Sequence, residues 1–195
     1  MPYNLMLNEI CKVSAINATT ALSKFLHTPL GVNIRPVDIS EFNDSIINEY
    51  NDNTVFMFLP ITGNISGGSF FVYSKESALS LCDVLFHRKT GSTKEILEPE
   101  QSALEEVTNI VIGHFLTLFA QSLRLESLMH RSPHFENKSF RKTFAQKLAS
   151  LNPTKELVNI VFSFHDLNIK GSVFILLEKN KILDRLKQVA PISNM

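Results

Sequence analysis

Two long segments of the chain place apolar residues at the spacing of an α-helix with one buried face. The first segment is predicted to end near His27, because Pro29 follows it. The second opens with Glu98 and Pro99, and a proline in the first turn is typical of a helix start. It is predicted to run to about Arg124. Its buried face is expected to hold the apolar residues Leu104, Val107, Val111, Phe115 and Leu118.

Other segments alternate with the two-residue period of β-strands, and most of these strands come in pairs joined by short turns. Short turns connect neighbouring strands in opposite directions, so an antiparallel sheet is expected. Each pair is followed by a shorter helix, the first of them capped by Ser74. The predicted strands are Val32–Ile39, Thr54–Ile61, Ile65–Tyr73, Leu157–His165 and Ile169–Glu178, and the predicted shorter helices are 75–87, 140–151 and 179–189.

The two halves of the sequence repeat one another. The segment Asn64–Gly67 opens a strand in the first half and has its counterpart in Asn168–Gly171 of the second. Each half runs long helix, strand, strand pair and closing helix, with 1–93 and 94–195 as the half-repeats and 88–94 as the linker. This order predicts a single α+β domain in which an antiparallel sheet is flanked by two long helices with approximate twofold symmetry.

Charge and composition disfavour several classes of function. Basic and acidic residues balance at 19 each, so no basic field draws in nucleic acid or anionic lipid. Cys11 and Cys82 lie far apart and the six histidines lack metal-ligand spacing, so we expect reduced cysteines and no bound metal. The N-terminus lacks a signal-peptide pattern, and no continuous apolar run approaches about 20 residues, so a cytoplasmic protein without a membrane span is expected.

One face of the second long helix is polar. Ser102, Glu106 and Asn109 stand at positions i, i+4 and i+7, which share a face, and Gly113 continues this polar stripe. Glycine inside a helix costs up to about 1 kcal/mol relative to alanine, and beside the polar pair it would let another molecule's backbone come close. On spacing alone, an ordinary solvated helix face is the better interpretation.

The two long helices resemble those of the CheC family of chemotaxis phosphatases. Glu9–Lys12 through Asn17–Leu26 resembles that family's first helix, and Ser102–Asn109 resembles its second, equivalent helix. The family pattern is Asp or Ser, three residues, Glu, two residues, Asn, and later a proline, for which Pro133 stands near the expected place. The resemblance spans most of the chain, but the stretch 134–155 has no counterpart in it.

The resemblance implies hydrolysis of the aspartyl phosphate of a CheY-type response regulator. In that family the Asn amide lies beside the phosphorylated aspartate and orients the attacking water, while the Glu contacts the regulator's active-site lysine. Carried over, Asn109 positions water, Glu106 docks and Ser102 supports Glu106 from one turn back. An amide both donates and accepts hydrogen bonds without repelling phosphate, which suits this task. The chain itself needs no cofactor, because the Mg²⁺ belongs to the regulator.

The first half departs from the family pattern. Leu5, Glu9 and Lys12 occupy the three positions of the polar stripe, and Ile16 stands in place of its glycine. Lysine has three donors and no acceptor, so Lys12 cannot replace asparagine in orienting water. The first site is therefore interpreted as lost, with Glu9 as a remnant, and a Glu9–Lys12 surface pair is the ordinary explanation of these two residues. A face that is buried or covered by a partner is the alternative explanation of the apolar residues Leu5 and Ile16.

A non-catalytic interaction module is the alternative function. The resemblance extends to relatives in the flagellar switch that bind regulators or structural partners without hydrolysis, and a chain that has lost one site is a candidate for having lost turnover. A CheD-type receptor deamidase is a further partner that the resemblance implies. The resemblance is compatible with either a monomer or a homodimer of this chain.

Overall fold

The computed structural model describes residues 3–27, 30–37, 50, 53–136, 139–150, 155–164 and 169–189, with the backbone alone for 30–37, 155–164, 148 and 150. The helices are α1 (Tyr3–Leu26), α2 (Lys75–Leu85), α3 (Glu98–Ser122), α4 (Phe140–Ser150) and α5 (Lys179–Val189). The strands are β1 (Leu30–Val37), β2 (Thr54–Gly63), β3 (Gly67–Ser74), β4 (Leu128–His130), β5 (His134–Phe135), β6 (Lys155–Phe164) and β7 (Ile169–Glu178).

The predicted α+β class with an antiparallel sheet is confirmed. Ser74 caps α2 as predicted, since its Oγ accepts the N–H of Ser77 at 3.1 Å. The strand predicted at 32–39 begins two residues earlier, and its last two positions lie outside the described residues. Strand β2 runs past its predicted end to Gly63, because the edge strand β4 pairs with it there. Neither β4 nor β5 was predicted, since strands of three and two residues carry no readable alternation.

The seven strands form one sheet in the order β1-β6-β7-β3-β2-β4, with β5 also paired to β2. The first strand of each half crosses to the other half, since β1 pairs with β6 and β4 pairs with β2. When each of β1, β2 and β3 is exchanged with its equivalent, β4, β6 and β7, the same strand order results, read from the opposite edge of the sheet. This is the arrangement that a twofold duplication produces, and it builds the two halves into one continuous sheet.

The central strand pair locates the pseudo-twofold axis in the sheet. Strands β3 and β7 are antiparallel, with Phe70 opposite Phe174. These two phenylalanines are also equivalent in the sequence repeat, because each lies three residues after its matched glycine, Gly67 or Gly171. Equivalent residues face each other only where the symmetry axis passes between them, so the axis crosses the sheet at this pair.

Helices α1, α2, α3 and α5 pack on one face of the sheet and enclose the larger core. The predicted buried face of α3 is confirmed at four of its five positions, and Leu118 is half-buried instead. By length and composition, α3 is the one helix in the described part of the chain that could cross a membrane, and here its apolar side packs in this core. Cys11 and Cys82 are both buried in the same core.

The other face of the sheet is covered by α4, which lies in the stretch without a counterpart in the family resemblance. Phe140 and Phe144 of α4 are fully buried against the sheet phenylalanines. Ring centroids lie 4.7 Å apart for Phe144 and Phe70, and 6.4 Å apart for Phe144 and Phe174. The additional stretch therefore closes a second, aromatic core on the side of the sheet opposite the candidate site.

Candidate active surface on helix α3

A buried carboxylate fixes the start of α3. Glu100 accepts a hydrogen bond from the Leu97 N–H at 3.2 Å and one from the Arg88 guanidinium at 2.8 Å. The hydrogen bond from Arg88 is the main reason that the pKa of Glu100 lies below its usual value, although burial opposes it. Arg88 also donates to the Thr93 hydroxyl at 2.9 Å, so the connection from α2 is held against the first turn of α3.

The polar stripe of α3 faces away from the core. Ser102 and Glu106 are exposed, while Asn109 and Gly113 are half-buried. Within the described residues, the side chains of Ser102, Glu106 and Asn109 have no hydrogen-bond or ion-pair partner. The carboxylate and the amide are therefore open to another molecule. The predicted support of Glu106 by Ser102 stays a prediction.

The short strands β4 and β5 follow one another along the edge of the sheet beside α3, and Pro133 lies between them. Phe58 and Ile61 of β2 are three residues apart in the chain. Their partners on the edge, His134 and His130, are four residues apart. The edge strand therefore contains one extra residue, which is the definition of a bulge. Pro133 is buried within this bulge, where a residue without an N–H is tolerated.

Two contacts bring the edge strand to the helix. Glu105 accepts a hydrogen bond from the Phe135 N–H at 2.9 Å. One strand residue reaches the stripe itself, since His130 Nε2 lies 3.5 Å from the position that a Cβ would occupy at Gly113. The contact between His130 and Gly113 was not predicted, because nothing in the chain's pattern places residue 130 beside residue 113.

The matching stripe of α1 is exposed and partly apolar, as predicted. Leu5 and Ile16 each keep 50% of their surface exposed, and Glu9 and Lys12 are exposed between them. No group on this stripe can both donate and accept a hydrogen bond in the way an amide does. The loss of a first site stays a prediction that fits this surface.

The stripe does not line the cleft at the start of α3. A cleft of about 650 Å³ lies at the N-terminal end of α3, and its lining includes Leu97, Gln101 and Phe135 but none of the stripe residues. Among the described residues, no three His, Cys, Asp or Glu side chains are grouped as a metal site would require.

No protein-family model matches the chain. Among solved structures, FliY of Thermotoga maritima matches with a TM-score of 0.69 and 17% identity, over 96% of this chain and 95% of that one. CheX in a CheX–CheY–BeF3–Mg²⁺ complex from Borrelia burgdorferi matches at 0.56 and 15% identity, over 85% and 96%. A CheC-like superfamily protein from Shewanella sp. PV-4 matches at 0.52 and 11% identity, over 89% and 97%.

Each of these matches spans most of both chains, so the protein has the CheC-like fold shared by CheX, FliY and CheC-like superfamily proteins. The resemblance noted in the two long helices is confirmed at the level of the fold. Identities between 11% and 17% define the fold alone, and the roles of individual side chains are argued from the geometry of α3.

Proposed function

We propose that this protein is a phosphatase that hydrolyses the aspartyl phosphate of a CheY-like response regulator in chemotaxis or related two-component signalling. The observation that carries the proposal is the open Glu106–Asn109 pair on α3 of a CheC-like fold. The partner class is supported by the CheX–CheY complex, whose CheX subunit shares this fold.

In the hydrolysis of an acyl phosphate, the main task of the phosphatase is to position the attacking water. The water oxygen bonds to phosphorus while the bond from phosphorus to the aspartate oxygen breaks and leaves its electron pair on the carboxylate. The products are the free aspartate and inorganic phosphate, and the released proton passes to phosphate or solvent. Holding the water in line removes orientational freedom before the step, and positioning of this kind supplies a large part of the rate of phosphoryl transfer.

Asn109 is assigned the water and Glu106 the docking contact. The half-buried amide can accept one water proton and donate a second hydrogen bond to the phosphoryl group. The exposed Glu106 carboxylate stands one turn earlier, about 5–6 Å away between Cβ positions, where it can pair with a lysine of the regulator. Mg²⁺ held by the regulator neutralises the charge of the phosphoryl group, which the stripe itself does not do.

The degenerate stripe of α1 offers matched control variants for the test. Phosphorylated regulator is mixed with the protein and phosphate release is followed, for Glu106→Ala and Asn109→Ala beside Glu9→Ala and Lys12→Ala. Loss of a positioned hydrogen-bonding group costs about 10²- to 10³-fold in kcat, so Asn109→Ala should fall by this order. Glu106→Ala should mainly raise KM, and the two α1 variants should match wild type. A wild-type rate for Asn109→Ala would overturn the assignment.

A non-catalytic binding module is the second candidate, and the apolar stripe of α1 favours it. Leu5 and Ile16 of the stripe, and Val13 next to it on the helix, are about half exposed. Exposed apolar residues that lie together mark surfaces that bind other proteins. Binding to a BeF3-activated regulator with no acceleration of phosphate loss would select this function over the phosphatase. A CheD-type partner follows from the resemblance alone, and a cytoplasmic location follows from the sequence pattern alone. Both stay predictions, and the choice between a monomer and a homodimer stays open.

A further inference from the structure

His130 stands beside the C-terminal end of the polar stripe. It is the last residue of β4, where it lies opposite Ile61 of β2. Its half-buried ring reaches α3, and Nε2 lies 3.5 Å from the Cβ position of Gly113. A methyl group at Gly113 would just touch the imidazole, so a larger side chain at this position would compete with the ring for space. The stripe is therefore covered at one end by a side chain from a different element.

The hydrogen bond at the other ring nitrogen decides what His130 offers. Nδ1 lies 3.1 Å from the carbonyl oxygen of Arg131. A carbonyl oxygen can only accept, so the tautomer that forms this hydrogen bond carries its proton on Nδ1. In the neutral ring Nε2 is then left with a lone pair, and the imidazole presents a hydrogen-bond acceptor to α3.

His130 Nε2 is the side-chain atom nearest to the Cβ position of Gly113, which lies one helical turn after Asn109. In an α-helix each Cα–Cβ bond leans toward the N-terminus, so the Cβ position at Gly113 points to the preceding turn, where Asn109 lies. Cβ positions four residues apart are separated by about 5–6 Å on a helix surface. Asn109 and His130 Nε2 are thus both within about one helical turn of Gly113, and two polar groups that do not touch can share a bridging water.

The symmetry of the fold shows that this corner differs between the halves. Ile61 is opposite Gly67 and Phe162 is opposite Gly171, and these glycines are equivalent. Strand β1 places Val32 opposite Phe162 as β4 places His130 opposite Ile61, so Val32 holds the register position of His130. The half with the glutamate–asparagine pair has histidine and glycine at this corner, where the half without the pair has valine and isoleucine.

We propose that His130 is a second water-orienting residue, whose Nε2 accepts a hydrogen bond from the water that Asn109 positions. This inference rests on the proposed phosphatase function and adds a residue to the same site. A water held by two groups on different elements keeps less rotational freedom than one held by Asn109 alone. Because Glu106 supplies the docking contact, the effect of His130 falls on kcat and not on binding.

Two conservative substitutions separate the two ring nitrogens. In His130→Gln the side-chain amide reaches the Nε2 position near Asn109. In His130→Asn the shorter amide reaches only the Nδ1 position and can still donate to the carbonyl of Arg131. Each variant, with His130→Ala and the exposed control His134→Ala, is assayed for kcat on phosphorylated regulator and for Kd with BeF3-activated regulator. Thermal unfolding followed by circular dichroism confirms that each variant is folded.

His130→Ala and His130→Asn should lower kcat by about tenfold or more, as loss of a positioning contact does, and leave Kd within about twofold. His130→Gln should retain most of the rate, and His134→Ala should match wild type. Equal rates for wild type and folded His130→Ala would overturn the assignment of His130 alone, as would equal losses in the Gln and Asn variants. A wild-type protein that does not accelerate phosphate loss would overturn the proposed function and this inference with it.

Discussion

Asn17 of α1 donates a hydrogen bond from Nδ2 to the carbonyl oxygen of His114 in α3, at 3.0 Å. The two residues are 97 positions apart, the same separation that relates Lys12 to Asn109. They are therefore equivalent residues in contact, which places the pseudo-twofold axis between α1 and α3 at this hydrogen bond. The axis located in the sheet by Phe70 and Phe174 continues through the helix layer here.

Each stripe ends beside this axis. Ile16 directly precedes Asn17 in α1, and Gly113 directly precedes His114 in α3. A partner that docks on the α3 stripe therefore approaches the half-exposed Ile16 near the symmetry axis. Ile16 therefore forms part of the surroundings of the α3 stripe as well as of the α1 stripe.

Gly113 should tolerate a methyl group but not a branched side chain. Gly113→Ala would place its Cβ 3.5 Å from His130 Nε2, an ordinary contact, and should stabilise the protein by up to about 1 kcal/mol through helix propensity. Gly113→Ile copies the α1 residue and should displace the imidazole and the docking regulator. Urea unfolding measures the stability of Gly113→Ala. The rate of phosphate release by Gly113→Ile should fall at least about tenfold. Full activity of Gly113→Ile would mean that the regulator does not contact this part of α3.

A second site could be partly restored on α1. In an Asn109→Ala background, the triple change Leu5→Ser, Lys12→Asn and Ile16→Gly recreates the residues of the polar stripe. We expect measurable phosphate release that stays below about one-tenth of the wild-type rate, because Val32 replaces the acceptor proposed for His130. Single-turnover kinetics measure both rates. Recovery of the full rate without a histidine at that corner would contradict the role proposed for His130.

Asp83 should be a large contributor to stability. Its buried carboxylate accepts hydrogen bonds from the Gly91 and Ser92 N–H groups at 2.6 and 3.2 Å, and from the N–H and hydroxyl of Thr93 at 2.8 and 2.6 Å. Burial alone would raise the pKa of Asp83, but these hydrogen bonds hold it below its usual value. Asp83→Ala leaves several donors unsatisfied and should cost about 3 kcal/mol in urea unfolding.

The control for that measurement is Asp184→Ala on the exposed face of α5. Asp184 forms a surface ion pair with Lys187 at 3.4 Å, and pairs of this kind contribute about 0–1 kcal/mol. Equal losses for the two aspartates would show that the loop after α2 contributes little to the folded state.

Glu178 should make stability depend on pH in the acid range. Burial opposes ionisation, but the Lys181 ammonium at 2.9 Å and the Ser66 N–H at 2.9 Å lower the pKa of Glu178 to about 2. The folded pKa lies below the unfolded value of 4.5, so the stabilisation is complete above pH 4.5 and is lost as pH falls toward about 2.

The contribution is on the order of 1–2 kcal/mol once solvent screening of the 28% exposed carboxylate is allowed for. Glu178→Gln should therefore be less stable than wild type at pH 6 and approach it at pH 2.5, in urea unfolding at both values. A constant difference between the two proteins across this range would contradict the assignment.

The aromatic core behind the sheet should be structural and separate from the site. Phe144→Ala removes a fully buried ring and should cost about 3–5 kcal/mol of unfolding free energy. The kcat on phosphorylated regulator, measured where the variant is still folded, should stay close to wild type because the stripe lies on the other side of the sheet. Phe25→Ala, at a ring that is 46% exposed, is the matched control and should change stability little.

The amino-acid sequence by itself determined the elements and the class of fold. Both long helices, the β2–β3 and β6–β7 pairs and the closing helices follow from periodicity and caps, because these signals depend on neighbours a few residues away. The polar stripe also follows from periodicity, since Ser102, Glu106 and Asn109 share a helix face wherever the helix packs. Periodicity alone indicated only an ordinary solvated helix face. The functional interpretation of the stripe came from the resemblance of both helices to one family.

The tertiary structure decided what stands around the stripe. His130 reaches Gly113 only because the short strand β4 crosses to the far half of the sheet and pairs with β2. Asn17 and His114 meet only because the two halves pack about an axis. Contacts of this kind join residues that are distant in the chain. They form only when strand register and helix packing bring these residues together, and no local pattern of residues encodes that arrangement.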